Sequence, residues 1–243
     1  RQGKLTDAGN SMSPDIERVM SLNPDAILLS PFENAGYGRI GKMGIPIIEC
    51  ADYLETSPLG RAEWIKFFGP LYGKEVEADS IFTEVEKNYT ELRDKIGVLS
   101  SAPVVISELK SGSAWYMPGG KSYMARFFKD AGAAYPWSDN TETGSIPLSF
   151  ETVFNRAGKA DIWLIKSFHV SELSYRTLQK EYAPYARFKA FREKKIYGCD
   201  SSRCNYYEET PFRPDLLLQE LAALFHPGLF PDYRFRYYQP LSE

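Results

Sequence analysis

The stretch that decides the fold is SMSPDIERVMSLNPDAILLS, residues 11–30, together with its counterpart SIPLSFETVFNRAGKADIWLI, residues 145–165. Each contains a serine, Ser13 or Ser149, followed by a glutamate in an amphipathic stretch, then an acid and a short apolar run. A serine in this place caps a helix by accepting a bond from a free backbone N–H group, and the helix dipole favours an acid in the first turn. Two distant copies of one helix–strand unit predict two similar α/β lobes.

The composition is that of a folded, weakly acidic chain. Its 243 residues are 43% hydrophobic and 25% charged, which is enough to fill a core and excludes global disorder. A net charge of −3 without a basic block gives no attraction to nucleic acid. The aromatic content of 14%, with 16 Tyr and 15 Phe, suits an aromatic core and also a cleft that stacks on a large planar ligand. No apolar run reaches the ~18 residues that a membrane span needs.

The strongest helical pattern covers residues 73–97, which contain no Pro and no internal Gly. Here Val76, Ile81, Val85, Tyr89 and Leu92 are predicted to form one apolar stripe, with charged residues over the rest of the surface. Such a helix either joins two lobes or lies along the surface of a single domain. We expect residues 74–96 to form one continuous helix that contacts both lobes, because the apolar stripe needs packing partners along its length.

These segments together resemble the helical-backbone (class III) substrate-binding proteins of ABC importers for iron chelates, haem and cobalamin. The resemblance also includes IPIIECADYLETSPLGRAEWIKFFG at 45–69 and AFREKKIY at 190–197, and it covers nearly the whole chain. It implies two doubly wound α/β lobes joined by a long spine helix. The implied division is an N-terminal lobe at 1–72, an interlobe helix at 73–97 and a C-terminal lobe at 98–243.

The resemblance also implies what the protein does. It implies a binding protein and not an enzyme, in the periplasm or cell envelope of a bacterium, that delivers an iron(III) chelate or haem to an ABC permease. Cobalamin is the alternative ligand, and no cofactor is implied. In the family, a glutamate at the tip of each lobe docks onto permease arginines; the motif positions are Glu17 and Glu151. Without the paired context, both would be ordinary solvated acids near helix N-termini.

The beginning of the chain carries a further expectation. In the family, the first strands of the N-terminal lobe precede the segment equivalent to GKLTDAGNSMSPDIER, residues 3–18. The N-terminal lobe is therefore expected to be incomplete in this chain. The preceding segment would hold the secretion signal and a lipid-anchored Cys, which would be the only attachment to a membrane.

Ligand contacts are expected in the loops after the predicted strands, because ligands of α/β lobes bind beyond the carboxyl ends of the strands. The predicted contact residues are Phe32, Asn34, Tyr37, Tyr53, Trp115, Tyr116, Tyr123, Arg203, Tyr206 and Tyr207. Of the adjacent pair Trp115 and Tyr116, only one is expected to face the ligand, since neighbours in an extended segment point to opposite sides. Packing in the core is the alternative for each aromatic residue.

No bare metal site is predicted from the residues. The chain has two histidines: His226 is expected to cap helix carbonyls, and His169 is expected to be structural or exposed. The spacing of Cys199 and Cys204 allows a disulfide or two free thiols, with Cys50 left over.

A hydrolytic enzyme is the alternative of a different class. Glu108, Glu208 and Glu209 lie near the predicted cleft and could be read as the acid pair of a glycosidase. However, the sequence contains no GxSxG, HExxH, P-loop or GxGxxG motif. Binding without catalysis is therefore the primary prediction.

Overall fold

The structure, a computed structural model, describes residues 5–10, 13–31, 37–168 and 173–243, and only the backbone of residues 10 and 13. The α-helices are α1 Ile16–Leu22, α2 Pro58–Glu63, α3 Ile65–Leu71, α4 Glu75–Ile96, α5 Tyr123–Asp130, α6 Phe150–Ala157, α7 Tyr175–Glu181, α8 Lys189–Arg192, α9 Tyr206–Glu209 and α10 Pro214–Phe225. The strands are β1 Gly9–Asn10, β2 Ser13–Pro14, β3 Ile27–Leu29, β4 Ile47–Glu49, β5 Val105–Ser107, β6 Lys110–Ser111, β7 Ala114–Pro118, β8 Ser145–Leu148, β9 Ile162–Ser167, β10 Ile196–Asp200 and β11 Gln239–Pro240. Short 3₁₀ helices occupy Ile40–Lys42, Asp52–Leu54, Ala183–Arg187 and Pro227–Leu229.

The chain forms two compact units, Arg1–Leu54 and Glu55–Glu243. In the first unit, β1 pairs antiparallel with β2, and β3 pairs parallel with β4. The connection between β3 and β4 includes the 3₁₀ turn, as a parallel pair requires a crossover. The boundary between the units lies earlier than the predicted lobe boundary at 72, and the division into lobes and a spine stays a prediction.

The second unit is built on a four-stranded sheet in the order β11–β10–β9–β5. The strands β5, β9 and β10 are parallel, and β11 adds an antiparallel edge. Residues Ile162–Ile165 of β9 are buried because this strand lies between two others, which explains the unbroken apolar run IWLI. Since the second unit combines helices α2–α10 with a largely parallel sheet, the chain is an α/β protein, as predicted.

Aromatic rings form the centre of the second unit's core. The ring of Trp115 lies 5.3 Å from that of Trp163 and 5.6 Å from those of Tyr185 and Phe188, and all four side chains are buried. The indole Nε1 of Trp115 donates to the Ser107 carbonyl at 3.0 Å, so its polar atom is satisfied in the interior. Much of the aromatic content seen in the sequence therefore serves packing.

The long helix was predicted correctly as one unbroken element, and its buried face was predicted in part, since Val85 and Tyr89 are buried as expected. The residues of α4 that are buried are Ala78, Phe82, Val85, Tyr89 and Ile96. Val76 and Ile81, which were expected on the apolar stripe, are 80% and 44% exposed. The helix packs against α2, α3 and α10, which all belong to the second unit, so its position was set by these partners.

The segment after β5 was predicted as a loop, and this was wrong. Residues 110–118 form a hairpin of β6 and β7, which turns at Gly112 with φ +58°, and β8 pairs with β7 to complete a three-stranded sheet. A left-handed turn residue of this kind favours glycine. The hairpin brings Trp115 into the core and leaves Tyr116 on the surface.

Candidate functional site

A charged pair lies at the carboxyl ends of two neighbouring parallel strands. Ser107 at the end of β5 pairs with Leu164 of β9, so Glu108, which follows β5, comes next to Lys166 of β9. The Lys166 Nζ lies 2.7 Å from Glu108 Oε1, and their side chains are 15% and 24% exposed. This is the edge at which parallel sheets bind ligands.

The backbone of Glu108 has an unusual conformation for a residue with a side chain, with φ +64°. Its N–H donates to the Leu164 carbonyl at 2.9 Å, and its carbonyl accepts from Trp163 Nε1 at 2.9 Å. A left-handed non-glycine residue costs about 1–3 kcal/mol and persists where the surroundings hold it. The core tryptophan thus fixes the backbone of Glu108, from which the carboxylate reaches Lys166.

Lys166 is held in its charged form. Burial alone would lower the pKa of its ammonium group, but the Glu108 carboxylate and the phenol of Tyr206 outweigh burial and raise that pKa. The Tyr206 ring lies 5.8 Å from the Lys166 Nζ, close enough for a cation–π contact. The site therefore contains an oriented ion pair whose lysine packs against the ring of Tyr206.

An open cavity of about 760 Å³ surrounds this pair, and we call it the tyrosine cavity. Its volume is within the range of about 300–1,000 Å³ that is usual for small-molecule sites. Three tyrosines with partly or largely exposed rings line it, namely Tyr116, Tyr123 and Tyr207. The complete lining is Glu108, Leu109, Lys110, Ser111, Gly112, Tyr116, Pro118, Ser122, Tyr123, Met124, Thr143, Gly144, Ser145, Lys166, Ser167, Glu181 and Tyr207.

Two of the predicted ligand residues lie in the core instead. Trp115 is fully buried among the core rings, and Tyr206 is 4% exposed, with its hydroxyl 3.6 Å from the Met124 sulfur. Residues in β7 alternate between the core and the surface, so Trp115 faces inwards and its neighbour Tyr116, half exposed, lines the cavity. Trp115 and Tyr206 are therefore buried in the core next to the cavity and do not line it.

Arg203 lies at a different place from the three tyrosines. Its side chain is 80% exposed, with Nε 3.6 Å from Asp200, and it lines a separate cavity of about 360 Å³. Cys204 lines this smaller cavity as well, and its sulfur lies 3.7 Å from that of Cys199. The two cysteines are free thiols in the structure, which is one of the two alternatives that the sequence allowed.

The predicted ligand residues of the first unit form local contacts or lie outside the described residues. Phe32 and Asn34 are among the residues that the structure does not describe. The Tyr37 hydroxyl donates to Glu49, and the Tyr53 hydroxyl donates to the Pro31 carbonyl. The hydrogen bond to Glu49 raises the pKa of Tyr37.

The two candidate docking acids occupy equivalent positions in their own helices. Glu17 and Glu151 lie in the first turns of α1 and α6, and both are exposed. Neither forms an ion pair within the described part of the chain. Ser149 caps α6, as predicted, by accepting from the Thr152 N–H group at 3.1 Å. The predicted cap at Ser13 is wrong, because α1 begins later and Asp15 accepts from the Arg18 N–H group at 3.1 Å.

The structure also bears on metal and acid–base chemistry. Within the described residues, no three His, Cys, Asp or Glu side chains lie together as a metal site. His226 is buried with Nε2 3.1 Å from the Ala131 carbonyl, and His169 lies outside the described residues.

Burial opposes the ionisation of Glu209, but hydrogen bonds from Arg236 and Tyr237 lower its pKa. A glycosidase acid needs a raised pKa, so Glu209 is unsuited to that role.

Sequence reasoning missed Lys166 and Lys110 as residues of the site and considered Glu108 only as a catalytic acid. A signal was present, because Lys166 directly follows the buried run IWLI and Glu108 directly follows a predicted strand. Polar residues that end two parallel strands meet at one edge of the sheet. What the sequence could not give was the order of strands, which makes β5 and β9 neighbours.

Comparisons with known proteins agree with this architecture. A family model described as "Periplasmic binding protein" matches residues 1–202. An uncharacterized lipoprotein of Methanocaldococcus jannaschii is 31% identical over 240 residues, which cover 94% of this chain and 54% of that protein. The chain thus spans about half the length of this curated relative. No helix in the described ranges is both long and apolar enough to cross a membrane.

Solved structures share the fold at low sequence identity. The haem complex of Staphylococcus aureus IsdE is similar with a TM-score of 0.71 and 19% identity, over 92% of this chain and 85% of that one. A possible iron-binding (periplasmic solute-binding) protein of Staphylococcus epidermidis has a TM-score of 0.69 and 19% identity, over 88% of this chain and 81% of that one.

Proposed function

This chain belongs to the periplasmic binding protein family, and from that premise we propose that it binds an iron(III) chelate or haem and delivers it to an ABC permease. The family consists of binding proteins rather than enzymes, so the hydrolase alternative is dropped. The observation that carries the proposal is the tyrosine cavity, which combines aromatic faces with an oriented ion pair at the carboxyl ends of β5 and β9.

The walls of the cavity suit a large, partly planar ligand. Tyrosine rings offer broad apolar contact area at a small entropy cost, and a phenolic oxygen is a known ligand of ferric haem. The hydroxyls of Tyr116 and Tyr207 make no hydrogen bond within the described residues, so they are available to a ligand. The similarity to the haem complex of IsdE and to an iron-binding protein favours these ligand classes.

The charges in the cavity suit a ligand that carries carboxylates. Lys166 remains protonated, and Lys110, whose Nζ donates to the Gly112 carbonyl, contributes a second cation. A ligand carboxylate could share Lys166 with Glu108, which is already positioned by the core. Charge-assisted hydrogen bonds of this kind are worth about 1.5–3 kcal/mol when they are shielded from water.

Docking and location are further parts of the proposal. Glu17 and Glu151 would each pair with an arginine of the permease, as their exposure and lack of a described ion-pair partner allow. The similarity to an uncharacterized lipoprotein supports a place outside the cytoplasm and attachment to the membrane by a lipid. The ligand would then be captured at the cell envelope.

The test is a titration of the full-length protein with haemin, a ferric hydroxamate and aquocobalamin, followed by absorbance and tryptophan fluorescence. We expect saturable one-to-one binding of haemin or the ferric chelate. Tyr116→Ala should weaken that binding by about 1–3 kcal/mol, roughly ten- to a hundredfold in Kd.

Tyr72→Ala is the matched control, because Tyr72 is 72% exposed and does not line the cavity. It should leave Kd unchanged. Tight binding of cobalamin alone would replace the proposed ligand by the alternative corrinoid. Equal losses in both variants, or no binding of any of the three ligands, would refute the assignment of this cavity.

A further inference from the structure

The structure contains a second cavity of about 650 Å³ whose described lining includes three cationic side chains and no Asp or Glu. We call it the basic cavity. Its cations are Lys121, Arg126 and Lys129, and hydroxyl groups such as those of Ser57 and Ser138 also line it. A lining of this sign is unexpected in a chain whose net charge is −3. Local enrichment of one charge sign in a concave site attracts the opposite charge.

We propose that the basic cavity is a second binding site, for a small molecule that carries several phosphate or carboxylate groups. It is distinct in chemistry from the tyrosine cavity, although Ser122 lines both. This site does not depend on whether the tyrosine cavity binds a chelate.

Arg126 is the organised element of the basic cavity. Its Nε donates to both carboxylate oxygens of Asp130, at 3.0 and 2.9 Å. Asp130 is buried and also accepts from the hydroxyl of Tyr89 on α4 at 2.8 Å. This chain of bonds from the core fixes the guanidinium group, while its two terminal nitrogens have no hydrogen-bond partner among the described residues. Such a fork is suited to bidentate binding of phosphate or carboxylate.

The lysines supply the charge that is not neutralised within the protein. Asp130 offsets the charge of Arg126, but Lys121 and Lys129 have no ion-pair partner in the described ranges. Arg126 and Lys129 are three residues apart on α5, so they lie on the same face of the helix. Lys121 precedes Ser122, the N-cap of α5, whereas Lys129 lies in the last turn. The two lysines are therefore roughly 12 Å apart along the helix axis, at ~1.5 Å per residue. This spread of cations calls for a ligand with several separated anionic groups.

The test is calorimetric titration of the full-length protein, free of any chelate and at low salt, with tripolyphosphate and with citrate. Binding of either anion supports the site, and the preferred anion identifies the phosphate or the carboxylate source. The double variant Lys121→Gln/Lys129→Gln should weaken binding about tenfold, since each exposed charge contributes modestly. This variant keeps the bond between Arg126 and Asp130, so the fold should be unaffected.

The matched control is Lys159→Gln/Lys180→Gln, which removes the same charge from exposed lysines outside the cavity. It should change Kd less than twofold. Arg126→Lys keeps the charge but loses the guanidinium group, so it should weaken binding; its melting temperature should also fall, because the buried Asp130 loses both bonds from Arg126 Nε. An equal loss in the control variant, or no binding of either anion, would overturn the proposal. Displacement of the anion by saturating haemin would also overturn it, because the anion would then occupy the tyrosine cavity.

Discussion

The two segments that share one helix–strand pattern are packed very differently. In the first unit, α1 buries none of its residues, and Met20 is 59% exposed. In the second unit, α6 buries Phe150, Val153 and Ala157 against the core. The same local pattern therefore specifies a helix and a strand in both places, whereas the amount of burial depends on what each unit packs against the helix.

The largest expected difference concerns the apolar face of these helices. Phe150 is 6% exposed, and its ring lies 5.1 Å from that of Tyr182 and 6.0 Å from that of Phe188. Phe150→Ala should lower the free energy of unfolding by about 3–5 kcal/mol, because it leaves a cavity in the core. Met20→Ala should change it by no more than about 0.5 kcal/mol. Urea unfolding at pH 7 measures both, and similar losses would show that the packing of the two helices is equivalent.

The acid before each strand gives a smaller difference. Asp161 accepts from the Val104 N–H group at 2.8 Å and pairs with Lys189 at 2.6 Å, while Asp25 is exposed. Burial opposes the ionisation of Asp161, but the bonds from Lys189 and Val104 lower its pKa below the ordinary value. Asp161→Asn should therefore cost about 1–2 kcal/mol at neutral pH. Asp25→Asn should cost almost nothing.

The pH dependence of that effect has a definite sign. Since the folded-state pKa of Asp161 is lowered, its stabilisation is complete above the unfolded pKa of about 3.9 and is lost as the pH falls through the folded value. The difference in stability between the native protein and Asp161→Asn should then shrink below about pH 4. A difference that stays constant from pH 7 down to pH 3 would contradict the assigned pKa shift.

Local sequence patterns predicted where helices and strands lie better than they predicted which side of each element is buried. Residues 73–97 were predicted as one helix, which the structure has at Glu75–Ile96, because the periodicity is long and uninterrupted. The buried face includes Ala78 and Phe82 instead of Val76 and Ile81, since packing by α2 and α3 decides it. Because apolar and charged residues alternate closely along this helix, its sequence is compatible with more than one rotation about the helix axis.

The candidate site shows the same limit. The strand-end rule predicted that aromatic residues after the strands line a cavity, and Tyr116, Tyr123 and Tyr207 do so. It predicted that only one of Trp115 and Tyr116 faces the ligand, but it could not say which, because that depends on which face of the hairpin packs against the core. The contact between Glu108 and Lys166 depends on the pairing of two strands that are distant in the sequence. Such pairing is set by the whole sheet and not by any local pattern.

The smallest expected effect concerns the acids that the two segments have in common. Glu17 and Glu151 are both exposed in first helical turns, so each gains only a fraction of a kcal/mol from the helix dipole. Glu17→Gln and Glu151→Gln, singly or together, should change the free energy of unfolding by at most about 0.5 kcal/mol. In this respect, the two segments should behave alike despite their different packing.

Transport should respond differently from stability, if the two acids dock onto a permease. The double variant should keep its affinity for the ligand but fail to stimulate ATP hydrolysis by the reconstituted permease, because each lost charge removes a pairing with a permease arginine. Glu86→Gln is the matched control, since Glu86 is an exposed acid on α4. It should stimulate ATP hydrolysis as well as the native protein does. A double variant that unfolds would make the acids structural, and one that transports as well as the control would remove docking from their role. Loss of transport with only one of the two single variants would show that the matched segments, alike in sequence, differ in function as they do in packing.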